Sequence, residues 1–124
     1  MKKTEDYTSK ELVDKVVEGI QEKKGSNIVI LDMTEIDNSI CQYFVICEGD
    51  SNIHVDAVAD SVDEYVRTKL NERPFHIEGR DNVEWILIDY VDVIVHVFQK
   101  AVREFYNLEG LWADAKRTEI ENLF

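Results

Sequence analysis

Apolar residues recur at helical spacing in three parts of the chain, which predicts three helices. They cover residues 9–24, about 52–70 and 100–113. Thr8 and Glu11 form a candidate capping box at the start of the first helix. Ser51 is a candidate N-cap of the second helix. We expect this helix to end before Pro74, because proline cannot continue a helical hydrogen-bond ladder.

Short β-branched and aromatic runs between these helices predict strands. They cover residues 27–32, 43–47 and 75–77, and residues 84–98 hold two more strands that reverse direction near Tyr90. This order of elements predicts an α/β domain, with a mixed β-sheet of about five strands flanked by helices in two or three layers. We expect a single domain over residues 1–115 and a polar C-terminal tail over residues 116–124 that frays; in the alternative, Ile120, Leu123 and Phe124 pack.

Side chains alternate between the faces of a strand, so the last two predicted strands present two different surfaces. One face is predicted to be core, since it carries Val91, Val93, Val95 and Val97. The other face mixes acidic, imidazole and aromatic groups, a composition that costs free energy to bury unpaired but suits an interface. In the alternative interpretation, helices cover both faces. The mixed face holds Asp92, Ile94, His96 and Phe98, and in the preceding strand Trp85, Leu87 and Asp89 share one side.

Charge changes the picture of possible partners. The chain of 124 residues has 26 acidic and 14 basic side chains, for a formal net charge of -12. Affinity for nucleic acid comes largely from Lys and Arg, so little direct contact with nucleic acid is expected and a basic protein is the better partner. In the alternative interpretation, the negative charge only keeps the protein soluble.

Catalytic and metal-binding patterns are weak. Asp89 and Asp92 lack the i, i+2 spacing by which one strand usually supplies carboxylates to a two-metal site. Ser51 and His54 lie one helical turn apart, but Ser51 is better explained as an N-cap. No zinc-ligand spacing or phosphate-binding loop is visible. We therefore expect no enzyme activity, no metal and no cofactor.

The two cysteines are expected to be reduced, and no apolar run reaches the roughly 18 residues needed to cross a membrane. No secretory signal is visible. We expect a cytoplasmic protein.

A series of short motifs occurs in a specific order from the first helix to about Ala115. They are Leu31-Asp32, residues 43–51, His54-Val55, Ala59-Asp60, Glu78-Gly79, residues 85–90, residues 92–98, Arg103, Phe105-Tyr106 and residues 108–115. Together they closely resemble the Iojap family of ribosomal silencing factors, RsfS.

This resemblance implies a protein that binds the large ribosomal subunit through large-subunit ribosomal protein fourteen, at the face where the small subunit joins. Binding there would block subunit joining and lower translation when nutrients are short. The family's fold is similar to that of nucleotidyltransferases without their active site, and its members often form homodimers. Two alternatives stay open: a metal-dependent nucleotidyltransferase-like enzyme, and a homodimeric interaction module with a non-ribosomal partner.

The resemblance also implies which residues form the docking surface. The first candidates are Trp85, Leu87, Asp89, Tyr90, Asp92 and His96, and the second are Arg103, Tyr106, Glu109 and Trp112. For Tyr106 and Trp112, packing between helix and sheet is the alternative. Two residues depart from the family pattern, Gln42 in place of Asp and Val91 in place of Gly. A β-branched residue resists positive φ, so the turn at Val91 is expected to be strained or of another type.

Overall fold

The structure is a computed structural model that describes residues 7–123, and it contains six strands and four helices within that range. Residues 1–6 and 124, at the ends of the predicted domain and tail, lie outside the described residues. The helices are α1 (Ser9–Glu22), α2 (Asn52–Leu70), α3 (Lys100–Tyr106) and α4 (Leu108–Leu111). The strands are β1 (Ser26–Asp32), β2 (Tyr43–Gly49), β3 (His76–Glu78), β4 (Trp85–Asp89), β5 (Val93–Gln99) and β6 (Lys116–Ile120).

The predicted caps of the first two helices are confirmed. The Thr8 side chain accepts a hydrogen bond from the Glu11 backbone N–H at 3.1 Å, and the Thr8 N–H donates to the Glu11 carboxylate at 2.7 Å. Ser51 accepts from the His54 N–H at 3.1 Å. Beyond α2, Asn71 adopts the left-handed conformation, with φ 54°, in which helices often end. These local signals fix the two helices that cover one face of the sheet.

The sheet has the strand order β3-β4-β5-β2-β1-β6. Only β2 and β5 run parallel, so the mixed sheet is confirmed. On one face, α1 and α2 bury Val93, Val95 and Val97 completely, as predicted. Val91 does not belong to this core, because it lies in the turn before β5 and is 51% exposed. The other face of the sheet packs against α3, α4 and the loop between β1 and β2.

Two predictions about the C-terminal part are wrong. The polar tail does not fray over residues 116–120: it forms β6, which pairs antiparallel with β1 and makes the sheet six-stranded instead of about five-stranded. The predicted helix over residues 100–113 is interrupted at Asn107, whose φ of 47° ends α3. The Asn107 side chain then caps α4 by accepting from the Gly110 N–H. Phe105 and Tyr106, at the end of α3, are exposed.

A candidate docking surface on strand four

Strand β4 lies with one face in the core and the other partly open. Ile86 and Ile88 are fully buried, whereas the alternate side chains Trp85, Leu87 and Asp89 are only half-buried. The sequence therefore correctly placed these three residues on one side. Beside them, α3 carries Phe105 and Tyr106, which are 80% and 50% exposed. We call these five residues, Trp85, Leu87, Asp89, Phe105 and Tyr106, the docking surface.

A continuous series of aromatic rings connects the docking surface to the core. The fully buried Phe98 stacks on Trp85 with ring centroids 4.9 Å apart. Trp85 contacts Tyr106 at 4.7 Å, and Tyr106 meets Phe105 edge-on at 5.1 Å. Ring pairs at these separations contribute beyond the apolar area that they bury. The exposed rings are therefore held in place by packing on the more buried rings beneath them, which lowers the entropy cost of ordering them when a partner binds.

His96 lies beneath this surface and supports Trp85. The indole N–H of Trp85 donates to His96 Nδ1 at 3.1 Å, so the imidazole proton is assigned to Nε2. His96 is 4% exposed, and its Nε2 has no hydrogen-bond partner among the described residues. Burial lowers the pKa of His96 to about 4, so the ring is neutral at pH 7. His96 holds Trp85 in place and does not form part of the exposed surface.

Trp112 packs at the other side of His96. Its ring lies edge-on to Phe44 at 6.0 Å, and Phe44 in turn lies edge-on to His96 at 4.8 Å. Trp112 is half-buried within the second apolar cluster of the sheet. The packing interpretation therefore holds for Trp112, whereas Tyr106 is both packed against Trp85 and exposed.

Arg103 and Glu109 form a buried ion-pair network below α3 and α4. The Arg103 guanidinium contacts Glu109 at 2.6 Å and Glu48 at 3.1 Å, and it donates to the Asn27 carbonyl at 2.7 Å. Burial opposes the ionisation of Glu109, but hydrogen bonding and the charge of Arg103 outweigh it and lower the pKa of Glu109. Arg103 joins α3 and α4 to the sheet. Only 9% of its side chain is exposed, so little of its surface is available to a partner.

The turn between β4 and β5 is held at both ends. Asp89 accepts a hydrogen bond from the Val91 N–H at 2.7 Å, and the Asp92 carboxylate accepts from the Ser9 hydroxyl at 3.3 Å. Val91 has a φ of 77°. This is the left-handed region that a β-branched residue resists, so the strained alternative stated for this turn is the one observed.

Tyr90 does not lie on the surface where it was predicted. Its side chain points to the opposite face from Trp85, lies in the core under α2 and is 2% exposed. Burial raises the pKa of the phenol well above its ordinary value, and the hydroxyl has no hydrogen-bond partner among the described residues. The prediction that Tyr90, His96 and Arg103 contribute exposed side chains is therefore wrong, whereas Asp92 stays half-exposed at the end of the sheet.

Phe105 is the main surface residue that the predictions omitted. Residues 100–113 were predicted as one helix, and Phe105 entered only as part of a motif that carries the family resemblance. Asn107 is the sequence signal that α3 ends just after Phe105, since asparagine often adopts the left-handed conformation that ends a helix. Phe75, which is 79% exposed next to the end of β4, was also omitted.

Neither a metal cluster nor a membrane span is found within residues 7–123. No group of three His, Cys, Asp or Glu side chains there could hold a metal ion. In the same range, no helix has the length and apolarity needed to cross a bilayer. Cys41 and Cys47 are free, as expected, and burial raises the pKa of both thiols to about 12.

Comparison with known proteins decides the family. The family model described as "Ribosomal silencing factor during starvation" matches residues 6–124, almost the whole chain. The chain belongs to the RsfS family. The "Ribosomal silencing factor RsfS" of Halalkalibacterium halodurans is 37% identical over 116 residues, which are 94% of this chain and 97% of that protein. The resemblance drawn from the motifs is thereby confirmed.

Solved structures show the same RsfS-like architecture. A crystal structure of a protein from Chromobacterium violaceum superposes with a TM-score of 0.79 at 35% identity and covers 84% of this chain and 85% of its own. A protein from Bacillus halodurans superposes with a TM-score of 0.75 at 35% identity and covers 90% of this chain and 99% of its own. The RsfS family is regulatory, which agrees with the expectation of a non-catalytic role.

Proposed function

We propose that this protein binds the large ribosomal subunit through large-subunit ribosomal protein fourteen and sterically blocks joining of the small subunit. Binding then lowers translation when nutrients are short, in the cytoplasm and without a cofactor or chemical turnover. The observation that carries this proposal is the series of rings from Phe98 through Trp85 and Tyr106 to the exposed Phe105. Rigid aromatic anchors of this kind are enriched among the residues that dominate binding energy.

Charge around the docking surface supports a basic partner. Glu78 lies opposite Leu87 in the sheet, and Glu104 precedes Phe105 on α3, and both carboxylates are exposed. Asp89 lies at the end of the same strand. Carboxylates of one sign beside an apolar centre speed encounter with a partner of opposite charge and disfavour partners of like charge. Direct contact with ribosomal RNA is disfavoured by the same charges.

A subunit-joining assay tests the block. Purified protein is added to separated ribosomal subunits under conditions that favour joining, and the products are separated on a sucrose gradient. We expect the joined peak to fall and the protein to migrate with the large subunit. Unchanged joining at saturating protein would disprove the steric block.

Phe105→Ser tests the location of the site. Phe105 is 80% exposed, so its removal should not unfold the chain, and loss of an anchor at the centre of an interface should weaken binding to the large subunit roughly tenfold or more. The matched control is Ile53→Ser, because Ile53 is 83% exposed on α2, which covers the opposite face. Equal binding by the two variants would place the docking site elsewhere.

A further inference from the structure

The helices α1 and α2 leave one side of their face of the sheet uncovered. A row of side chains runs across the sheet through directly paired residues, and it shows where the cover ends. Ile88, Val95 and Val45 in this row are fully buried. Beyond them, Ile30 on β1 is half-buried and Thr118 on β6 is exposed. The sheet therefore extends past the helical layer at β1 and β6.

The uncovered strip has about the width of one helix. Six strands about 4.8 Å apart occupy roughly 29 Å, and two helices packed about 10 Å apart cover roughly 20 Å of this width. The remaining roughly 9 Å corresponds to two strands, which fits β1 and β6. A third helix on these two strands, beside α1, would complete the layer.

A groove with a volume of about 590 Å³ lies along this strip, and we call it the lateral groove. Its apolar floor consists of Val17 on α1, Ile30 on β1 and Ile120 on β6. All three side chains are half-buried and pack against the main core from its edge. A partner that covers this floor gains free energy by removing apolar surface from water.

The wall of the lateral groove is acidic. Glu11, Asp14 and Glu18 line the groove and recur at intervals of three and four along α1, so they form one line about 10 Å long. A hydrogen bond of 2.6 Å from the Tyr65 hydroxyl lowers the pKa of Glu18, which also contacts Lys15 at 3.3 Å. Among residues 7–123, no ion pair or hydrogen bond engages the side chain of Asp14. Surplus negative charge therefore lies beside the apolar floor.

We propose that the lateral groove is a second docking site, on which a basic amphipathic helix of another protein lies alongside α1 as the third helix of the layer. The apolar stripe of that helix covers Val17, Ile30 and Ile120. Its Lys or Arg side chains, spaced one helical turn apart, face the line of three carboxylates. The complementary charge speeds encounter and fixes the orientation of the helix. The same carboxylates repel phosphate groups, so nucleic acid does not fit the groove.

A helix from a second copy of this chain is a poor occupant of the lateral groove. The two long helices, α1 and α2, each carry four acidic and two basic side chains. Either of them would bring like charges together across the groove, which disfavours binding. The other described helices, α3 and α4, have only seven and four residues, against fourteen in α1. Charge and length together favour a partner of different sequence.

This second site goes beyond the proposed function and is separate from the docking surface. Trp85, Leu87 and Asp89 lie on the face of the sheet opposite α1, so both sites can be occupied at once. Asp14→Lys should therefore block subunit joining as well as wild type does. Loss of the block in this variant would make the lateral groove part of the first docking surface and overturn its assignment to a second partner.

A peptide titration followed by NMR tests the site directly. The probe is a synthetic 14-residue helix, equal in length to α1, with leucine at every third or fourth position and lysine or alanine elsewhere. A second peptide has the same composition without an apolar stripe. The first should shift amide signals of α1, β1 and β6 and bind roughly fivefold more tightly than the second. Shifts spread over the whole acidic surface, equal binding of the two peptides, or self-association of the chain that excludes the probe would overturn the proposal.

A pair of charge variants separates the groove from general attraction to an acidic protein. Asp14→Lys places a lysine against the lysines of the probe and should weaken its binding roughly fivefold or more. The matched control is Glu64→Lys, an exposed position on α2 where the net charge changes by the same amount. The control should weaken binding less than about twofold. Equal weakening by both variants would refute the site.

The apolar floor has its own test. Ile120→Ser removes part of the floor and should weaken binding of the probe roughly fivefold. The control is Leu123→Ser, because Leu123 is 70% exposed just beyond β6 and does not line the groove. The NMR spectra of Ile120→Ser also show whether β6 still pairs with β1. A folded Ile120→Ser that binds as tightly as Leu123→Ser would exclude the floor as a binding surface and overturn the proposal.

Discussion

The indole N–H of Trp85 donates a hydrogen bond to Nδ1 of the buried His96, at 3.1 Å across the β4–β5 pair. The bond requires a neutral imidazole, because a protonated ring has no free lone pair on Nδ1. Trp85, a half-buried residue of the docking surface, is therefore tied to the protonation state of a residue that is itself buried. The free energy of unfolding should therefore depend on the protonation of His96.

Acid should destabilise the fold through His96. Its pKa is about 4 in the folded chain, against an ordinary value of 6.5. Between these values the unfolded chain binds a proton that the folded chain does not, so stability falls as the pH drops from about 6.5 to about 4. Between pH 7 and pH 4.5 the loss attributable to His96 should be roughly 2 kcal/mol. Urea unfolding at pH 7 and pH 4.5 measures it.

His96→Gln is the control for this prediction. The glutamine side chain can still accept the Trp85 hydrogen bond but does not titrate. The free energy of unfolding of His96→Gln should therefore fall less between pH 7 and pH 4.5 than that of wild type. Parallel pH profiles for the two proteins would show that His96 is not the group responsible.

Val91 carries strain that glycine should relieve. At φ 77° a Cβ atom costs roughly 1–2 kcal/mol, and little packing is lost because Val91 is 51% exposed. Val91→Gly should consequently be more stable than Val91→Ala by about 1 kcal/mol. At the exposed helical position Ala101 the order should reverse, with Ala101→Gly destabilising by roughly 0.5–1 kcal/mol. Chemical denaturation of the three variants checks both signs; alanine at position 91 matching glycine would contradict the strain.

Gly79 determines where Trp85 lies. Its φ is 94°, and a Cβ built on it would approach the Trp85 carbonyl oxygen to 1.9 Å. Gly79→Ala should therefore displace the start of β4 and destabilise the chain by at least about 2 kcal/mol. Thermal unfolding measures the loss, and the tryptophan emission should shift as Trp85 moves. The control Asn82→Ala, in the same exposed turn, should change neither signal.

The sequence indicated most of the fold because the core elements combine local signals that agree. Alternation puts Tyr90 on the side of β4 opposite Trp85, Leu87 and Asp89, and the structure shows it buried there with Ile86 and Ile88. Tyr90 entered the surface prediction only through the resemblance to the family, and the alternation was the better guide. The alternation of side chains between the two faces of a strand is thus informative wherever one face is buried.

Strand β6 could not be predicted in the same way. Arg117, Thr118 and Glu119 are polar on both faces, because an edge strand outside the helical layers needs no apolar face. Its pairing with β1 comes from backbone hydrogen bonds, which leave no hydrophobic pattern in the sequence. The end of α3 is also hard to predict from hydrophobic pattern, since it depends on the left-handed backbone of Asn107.

Arg103 should be far more important for stability than any exposed ion pair of this chain. Arg103→Met leaves Glu48 and Glu109 buried beside an apolar side chain, and breaking a buried pair in this way costs about 3–5 kcal/mol. Arg80→Met is the matched control, because Arg80 also contacts two carboxylates but with 37% of its side chain exposed. The control should lose less than about 1 kcal/mol.

Neutralising the two glutamates tests the cause of this loss. If the cost arises from uncompensated charge, adding Glu48→Gln and Glu109→Gln to Arg103→Met should recover part of the stability, since amides are cheaper to bury than carboxylates. Urea unfolding of the single and triple variants at pH 7 measures the recovery. A triple variant less stable than Arg103→Met would mean that Arg103 acts mainly through packing and its hydrogen bond to the Asn27 carbonyl. Recovered stability in the triple variant would identify the ion pairs of Arg103 with Glu48 and Glu109 as the electrostatic link that holds α3, and with it Tyr106, against the sheet.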